Sequence, residues 1–101
     1  MSARTLQLPR LVAGRDYADD LVDSLGLEPG ADVVVDAGEL LSGTPSFAAE
    51  LVRRVLVAGH AGSMMLLNAP ADFVNYIQSA AGDLGVSGKL VVRRAPAHTA
   101  G

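Results

Sequence analysis

One segment of the sequence combines hydroxyl side chains with glycine and proline directly before an amphipathic stretch. It is Ser42-Gly43-Thr44-Pro45-Ser46, and a threonine followed by proline is typical of a helix cap and its first helical residue. Backbone amides at the start of a helix attract anions, so the segment favours either a plain helix start or a site for a phosphate-bearing ligand. It has neither the Walker lysine nor the spacing of a glycine-rich nucleotide fingerprint.

Asp36 is the second residue that could do chemistry, because it closes the apolar run at 33–35. A carboxylate at the end of a buried strand is typical of the phosphoacceptor in a receiver domain. Such a domain also needs acidic residues just after its first strand to hold a divalent cation, whereas residues 8–10 are Leu-Pro-Arg. The alternative is that Asp36 caps the loop that follows it.

The other titratable residues predict neither a catalytic set nor a metal site. His60 and His98 have no carboxylate or second histidine at ligand spacing, so we expect both to be exposed loop residues. Asp19, Asp20 and Asp23 fall on the predicted wet face of a helix, where solvated charge is the favoured interpretation. No nucleophile–base pair stands out. The sequence therefore indicates a protein that is not an enzyme and implies no cofactor.

Composition narrows the class of protein further. The 101 residues are enough for one domain, and 50% hydrophobic with 19% charged residues is typical of a folded chain. A net charge of −3 without a Lys/Arg run lacks the electrostatic footprint of nucleic-acid binding. There is no cysteine, no signal-peptide core, and no apolar run near the ~18 residues that span a bilayer. We therefore expect a cytoplasmic protein without a membrane segment.

Hydrophobic periodicity predicts the element order β-α-β-α-β-α-β. Helix-length connections between strands imply parallel pairing with right-handed crossovers, so we expect a mostly parallel four-stranded sheet with helices packed on it. The first strand is expected at a sheet edge in either direction, and the run at 33–35 is expected to be buried on both faces. One α/β domain over 1–94 precedes a loose tail over 95–101. Strands are predicted over 5–8, 32–36, 63–67 and 89–92, and helices over 16–25, from Thr44 to Gly59, and from 68–70 to Gly82.

The helical faces can be assigned from the same spacing. In the first helix Tyr17 is expected to face inward together with Leu21, Val22 and Leu25. In the second helix Phe47, Leu51, Val55 and Ala58 form the predicted buried stripe, while Glu50, Arg53 and Arg54 are expected to face out.

The predicted sheet also places the loops where a ligand would be expected. Open α/β sheets bind ligands outside the carboxyl ends of their strands. The loops over 36–46 and 68–72 and the start of the tail all follow strands at that edge.

Two segments of the chain resemble a STAS-like family of unknown function. Residues 13–21, Ala-Gly-Arg-Asp-Tyr-Ala-Asp-Asp-Leu, are similar to the first-helix signature of that family. Residues 46–51, Ser-Phe-Ala-Ala-Glu-Leu, follow an apolar strand with aspartate and a short loop, and resemble its strand-loop-helix. The resemblance covers most of residues 5–93 and implies a STAS-like α/β domain.

STAS domains include the bacterial anti-sigma-factor antagonists, and the resemblance implies a related role. In those proteins a serine in an Asp-Ser-Ser-Gly-Leu-like turn is phosphorylated by an anti-sigma factor that is also a kinase, which switches docking off. Laid onto that motif, Pro45 takes the place of the first serine and Ser46 of the second. Ser46 is therefore the candidate phosphoacceptor, and a kinase-type anti-sigma factor or other GHKL ATPase is the implied partner.

The expected docking surface is the loop that begins at Gly38 and the exposed face of the next helix, over 38–54. Two rival functions stay open: a sensor that binds an anion or nucleotide at the Thr44 helix start, and a homodimerising structural module. The residues predicted to bind the partner are Asp36, Ser42, Gly43, Thr44, Ser46, Glu50, Arg53 and Arg54.

Overall fold

The computed structural model describes residues 3–93, which form a parallel four-stranded sheet with three helices packed on it. The predicted fold class is therefore confirmed, whereas the predicted tail over 95–101 lies outside the described residues. The elements in chain order are β1 (Ala3–Gln7), β2 (Leu11–Val12), α1 (Arg15–Leu25), β3 (Asp32–Asp36), β4 (Ser42–Gly43), α2 (Pro45–Val52), β5 (Ser63–Leu67), α3 (Ala71–Asp83) and β6 (Leu90–Arg93).

The main sheet has the strand order β1-β3-β5-β6, with every neighbouring pair parallel. β1 is thus an edge strand that runs in the same direction as the others. The prediction that 33–35 is buried on both faces is wrong, because Val33 and Val35 are buried while Val34 is only half-buried. Successive right-handed crossovers place all three helices on one face, so only alternate strand residues enter the core.

The first helix is bounded by glycine at both ends. Gly14 precedes it with φ 85°, and Gly26 closes it in the left-handed conformation at φ 62°. Ala18 and Val22 face the core. Tyr17 lies on the inward face as predicted but at its margin, because the residue is 36% exposed and its ring centroid is 5.9 Å from that of the buried Phe47.

The second helix lies between α1 and α3 and changes its winding halfway. After Val52 it continues as a π-helical turn, Arg53–Ala58, which ends where the Gly59 N–H donates to the Arg54 carbonyl at 2.9 Å. Hydrogen bonds that span five residues instead of four displace the helical faces by one residue. Phe47, Leu51 and Val55 are buried as predicted, whereas Ala58 is exposed.

The third helix and last strand differ from prediction only at their ends. α3 runs through Gly82 to Asp83, and β6 is shifted one residue toward the carboxyl end. Phe73 and Ile77 face inward as predicted, with Ala80 and Ala81 beside them. The short parallel pair β2–β4 was not predicted, because two-residue strands carry no periodicity.

Candidate protein-binding surface

The loop before α2 is held against the segment that follows β1. Leu11 pairs with Ser42 in the β2–β4 ladder. The Leu41 N–H donates to the Arg10 carbonyl at 2.7 Å, and the Thr44 N–H donates to the Val12 carbonyl at 3.1 Å. This backbone pairing fixes the position at which the helix begins.

Asp36 is half-buried at the end of β3. Its side chain caps the loop that follows, which is the second of the two interpretations drawn from the sequence. Its Oδ1 accepts a hydrogen bond from the Gly38 N–H at 2.9 Å, which is an Asx turn. The carboxylate therefore shapes the chain reversal that leads toward the β2–β4 pair.

Two leucines in this region are far more exposed than any other large apolar side chain in residues 3–93. Leu11 is 68% exposed and lies in β2, and Leu41 is 72% exposed and immediately precedes β4. Sequence reasoning missed both. The available signal was the pair Leu40-Leu41 in a polar loop, because consecutive residues of an extended segment point to opposite sides, and Leu40 faces the core.

Thr44 is the residue that organises the start of α2. Its Oγ1 accepts from the Phe47 N–H at 3.2 Å as a helix cap, and from the Gly14 N–H at 3.3 Å. Pro45 then occupies the first helical position. The predicted cap is confirmed, and the same hydroxyl also connects the beginning of α1 to the beginning of α2.

Ser46 is exposed in the first turn of α2, and its Oγ lies 3.3 Å from the Thr44 Oγ1. The hydroxyl is therefore accessible to a modifying enzyme. A helix start is a position at which added negative charge is favourable.

Gly43 lies in β4 under a tight steric constraint. A Cβ at this position would come within 2.7 Å of the Phe73 ring and 2.9 Å of the Val12 side chain. Gly43 is therefore required for the close approach of β4 to α3, which is a packing role rather than a direct contact with a ligand.

A small cleft joins two of the loops that were expected to meet at the carboxyl ends of the strands. Its volume is about 90 Å³, and a nucleotide-sized pocket has ~300 Å³ or more. The Asp72 carboxylate is part of its wall, which disfavours a phosphate. The cleft is lined by Leu41, Ser42, Gly43, Pro70, Asp72, Phe73 and Tyr76.

Glu50 was expected to face out, and the structure corrects this because the residue is 7% exposed. It lies on the flank of α2 that packs toward α1, within reach of the charged residues there. Arg53 binds it through both oxygens, with Nε–Oε1 at 2.9 Å and Nη2–Oε2 at 2.6 Å. The exposed Arg53 is thus committed to a buried carboxylate rather than left for a partner.

Arg54 is likewise an internal contact, half-buried between α1 and the π-helical turn. Its Nη1 lies 3.0 Å from the Asp19 Oδ1, and its Nη2 donates to the Asp23 Oδ1. Asp19 and Asp23 were expected to be solvated charges. Asp23 is exposed as expected, whereas Asp19 is half-buried. Both carboxylates pair with Arg54 and connect α1 to the segment after α2.

These contacts shift the titration of two carboxyl groups in opposite directions. The bidentate Arg53 guanidinium lowers the pKa of Glu50 to about 2, with burial opposing the shift and the Asp19 contact adding to it. The pKa of Asp19 is raised, first by its contact with the Glu50 carboxyl and then by burial. Of these two carboxyl groups, Glu50 is therefore the one that keeps its negative charge to the lower pH.

A shallow groove of about 230 Å³ lies beside this cluster, between the first turn of α1 and the end of α3. Its charged walls contain two arginines and two acids, so it carries no net preference for an anion. The groove is lined by Arg15, Ala49, Glu50, Arg53, Ala80, Asp83 and Leu84.

Residues 3–93 contain neither a cluster of metal-ligating side chains nor a helix that could span a membrane. There, no three of the His, Cys, Asp and Glu side chains are grouped as metal ligands would be. None of the helices in this part of the chain is long and apolar enough to cross a bilayer. His60 is exposed in a loop as predicted, and His98 lies outside the described residues.

The described residues thus form a small α/β domain with two highly exposed leucines, Leu11 and Leu41, in the segments that lead to α2. Comparison with models of known families, with curated proteins and with solved structures finds no match to this chain. The STAS-like assignment therefore stays a prediction that rests on residues 13–21 and 46–51.

Proposed function

We propose that this chain is a non-enzymatic regulatory domain that binds another protein through a docking patch formed by Leu11, Leu41, Ser42 and Ser46. The observation that supports the proposal is the exposure of Leu11 and Leu41, 68% and 72%, on adjoining segments beside the start of α2. Exposed apolar surface rimmed by polar residues marks interaction sites, and here two highly exposed leucines accompany the exposed Ser42 and Ser46.

The patch replaces part of the surface that the sequence suggested. Glu50, Arg53 and Arg54 are engaged within the domain, so we place the docking surface on the loop side of α2 and not along the helix. Gly43 and Thr44 hold the patch in position through packing and capping. Asp36 shapes the loop through its bond to Gly38.

Ser46 is the proposed switch. Phosphorylation would add nearly two negative charges beside the two leucines while leaving the helix start intact. Charge placed at the edge of an apolar contact costs binding energy through desolvation and repulsion. The resemblance to the STAS-like family suggests a kinase-type anti-sigma factor or a related GHKL ATPase as the partner, and a cytoplasmic location is part of the same proposal.

The rival sensor function has less support. The cleft next to Thr44 has a volume of about 90 Å³ and includes Asp72 in its wall, and the groove beside Glu50 is balanced in charge. A thermal-shift screen separates the two functions, because a ligand at 100 times its dissociation constant adds ~2.7 kcal/mol of stability. A shift with a nucleotide or with inorganic phosphate would favour the sensor.

The test of the switch uses a purified kinase-type anti-sigma factor or related GHKL ATPase from the same organism as the candidate partner. We expect binding by the wild type and by Ser46→Ala, and at least tenfold weaker binding by Ser46→Asp. Ser79→Asp is the matched control, since Ser79 is also an exposed helical serine but lies on α3. Equal binding by Ser46→Asp and Ser79→Asp would contradict the proposed switch.

A further inference from the structure

The face of the sheet opposite the helices, here called the open face, carries a continuous row of largely apolar residues. Thr5, Val34, Met65 and Val91 are paired in register across all four strands. They alternate with core residues, so their side chains leave the sheet on the side away from the helices. Val91 is 37% exposed, and Val34 and Met65 are only half-buried.

The next row on the open face carries a charged residue on two of its four strands, an acid on β3 and an arginine on β6. Gln7, Asp36, Leu67 and Arg93 are paired in register. Asp36 and Arg93 are therefore two strands apart, ~9.6 Å between their backbones at the usual strand spacing, and no ion pair joins them. Within residues 3–93 the exposed Arg93 has no ion-pair partner.

We infer that the open face is a self-association surface, on which a second copy of this chain packs about a two-fold axis parallel to the strands. Such an axis reverses the strand order, so β5 lies over β3 of the second copy and β6 lies over its β1. Met65 then packs on Val34 of the second copy, and Val34 on its Met65.

The charges favour a two-fold axis parallel to the strands over one that runs across them. With β6 over β1 of the second copy, Arg93 is offset sideways from the second copy's Asp36 by one strand spacing, ~4.8 Å. The long arginine side chain can cross the gap between the sheets to that carboxylate, and the symmetry forms the pair twice. A two-fold axis across the strands would instead reverse the rows. That alternative places Asp36 opposite Asp32, a like-charge contact.

The size of the face sets the expected affinity. Four strands at ~4.8 Å spacing and ~17 Å length give a plan area of ~300 Å² per copy, which is below the ~800 Å² of a standard interface. We therefore expect a reversible dimer with a dissociation constant between about 10 µM and about 1 mM. The docking patch lies at the carboxyl end of the strands and stays accessible, so the inference does not depend on the proposed function.

The test is sedimentation equilibrium of the 101-residue chain across that concentration range, with two valines as a matched pair. Val91 and Val57 are each 37% exposed, but only Val91 lies on the open face. Val91→Glu should weaken the dimer at least tenfold, and Val57→Glu should leave it unchanged. A wild type that stays monomeric at about 1 mM would overturn the inference. Equal dimer dissociation constants for Val91→Glu and Val57→Glu would also overturn it.

Charge reversal tests the orientation. Arg93→Asp and Asp36→Arg should each weaken the dimer, and the double variant should recover most of the loss because the pair is restored with opposite polarity. A double variant no stronger than either single variant would overturn the proposed axis. If a substitution prevents folding, the wild type is diluted instead, and the changes in its amide chemical shifts identify the residues at the dimer contact. We expect shifts on β3, β5 and β6, and shifts confined to the helices would overturn the inference.

Discussion

The Thr44 hydroxyl oxygen lies 3.3 Å from the Gly14 amide, across a sequence separation of 30 residues. The same oxygen caps α2 by accepting from Phe47. One side chain therefore fixes the start of α2 relative to the start of α1, directly beside the docking patch. The position of Ser46 in the first helical turn depends on this junction.

Loss of that junction should cost stability. Thr44→Ala removes the acceptor for both amides, and we expect a decrease of about 1–2 kcal/mol in the free energy of unfolding, measured by urea denaturation. Thr44→Ser keeps the oxygen and should lose less than half as much. A Thr44→Ala protein as stable as the wild type would show that the two hydrogen bonds have no energetic role.

Gly43 offers a steric prediction. Gly43→Ala places a methyl group against Phe73 and Val12, so we expect about 1–3 kcal/mol of destabilisation from overpacking. The matched control is Gly88→Ala, where an added Cβ meets nothing within 4 Å. Thermal unfolding of the two variants should differ clearly. Equal melting temperatures would mean that β4 can move away from α3 without cost.

The Glu50–Arg53 pair predicts a pH dependence. The folded-state pKa of Glu50, about 2, lies below its ordinary value of 4.5, so its contribution is complete above pH 4.5 and is lost as the pH falls toward 2. Glu50→Gln should lower the free energy of unfolding by about 1–2 kcal/mol at neutral pH, less than for a fully buried pair because Arg53 is exposed. The difference between wild type and variant should shrink toward zero in acid. Asp19, whose pKa is raised, acts in the opposite direction and makes the wild-type slope shallower.

The matched control for this pH profile is Asp20→Asn, because Asp20 is an exposed acid on α1 next to Asp19. Its profile of unfolding free energy against pH should stay close to that of the wild type. A difference between wild type and Glu50→Gln that stays constant from neutral pH to about pH 2 would contradict the role assigned to Glu50.

The phosphomimetic substitution separates folding from docking. Ser46→Asp adds a negative charge in the first turn of α2, where the helix dipole favours it. We expect its free energy of unfolding to stay within about 0.5 kcal/mol of the wild type by urea denaturation. A loss above about 2 kcal/mol would mean that any binding defect of this variant reflects unfolding.

Much of the fold could be predicted because its signals are local. The apolar runs at 32–36 and 63–67 predicted two strands with the bounds that the structure has. Thr44 followed by Pro45 predicted the start of α2, since a cap is a property of neighbouring residues. The half-open sheet was not predicted, because a run of valines is typical of strands buried on both faces.

The candidate site was harder to predict because it depends on contacts between distant segments. Glu50 was expected to face solvent from helical spacing, but its bidentate bond to Arg53 allows a carboxylate to be buried. Arg54 turns toward Asp19 and Asp23 of α1. The exposure of Leu11 and Leu41 depends on the pairing of β2 with β4. Two-residue strands are too short to be recognised from hydrophobic periodicity.

The most direct test of the docking patch is the dissociation constant for the candidate GHKL ATPase from the same organism, measured by titration calorimetry with matched leucine variants. Leu41→Ser removes an exposed leucine from the patch, and Leu84→Ser removes one that is 40% exposed at the far end of α3. We predict at least tenfold weaker binding for Leu41→Ser and wild-type affinity for Leu84→Ser. Tight binding by the wild type that Leu41→Ser leaves unchanged would contradict the docking patch.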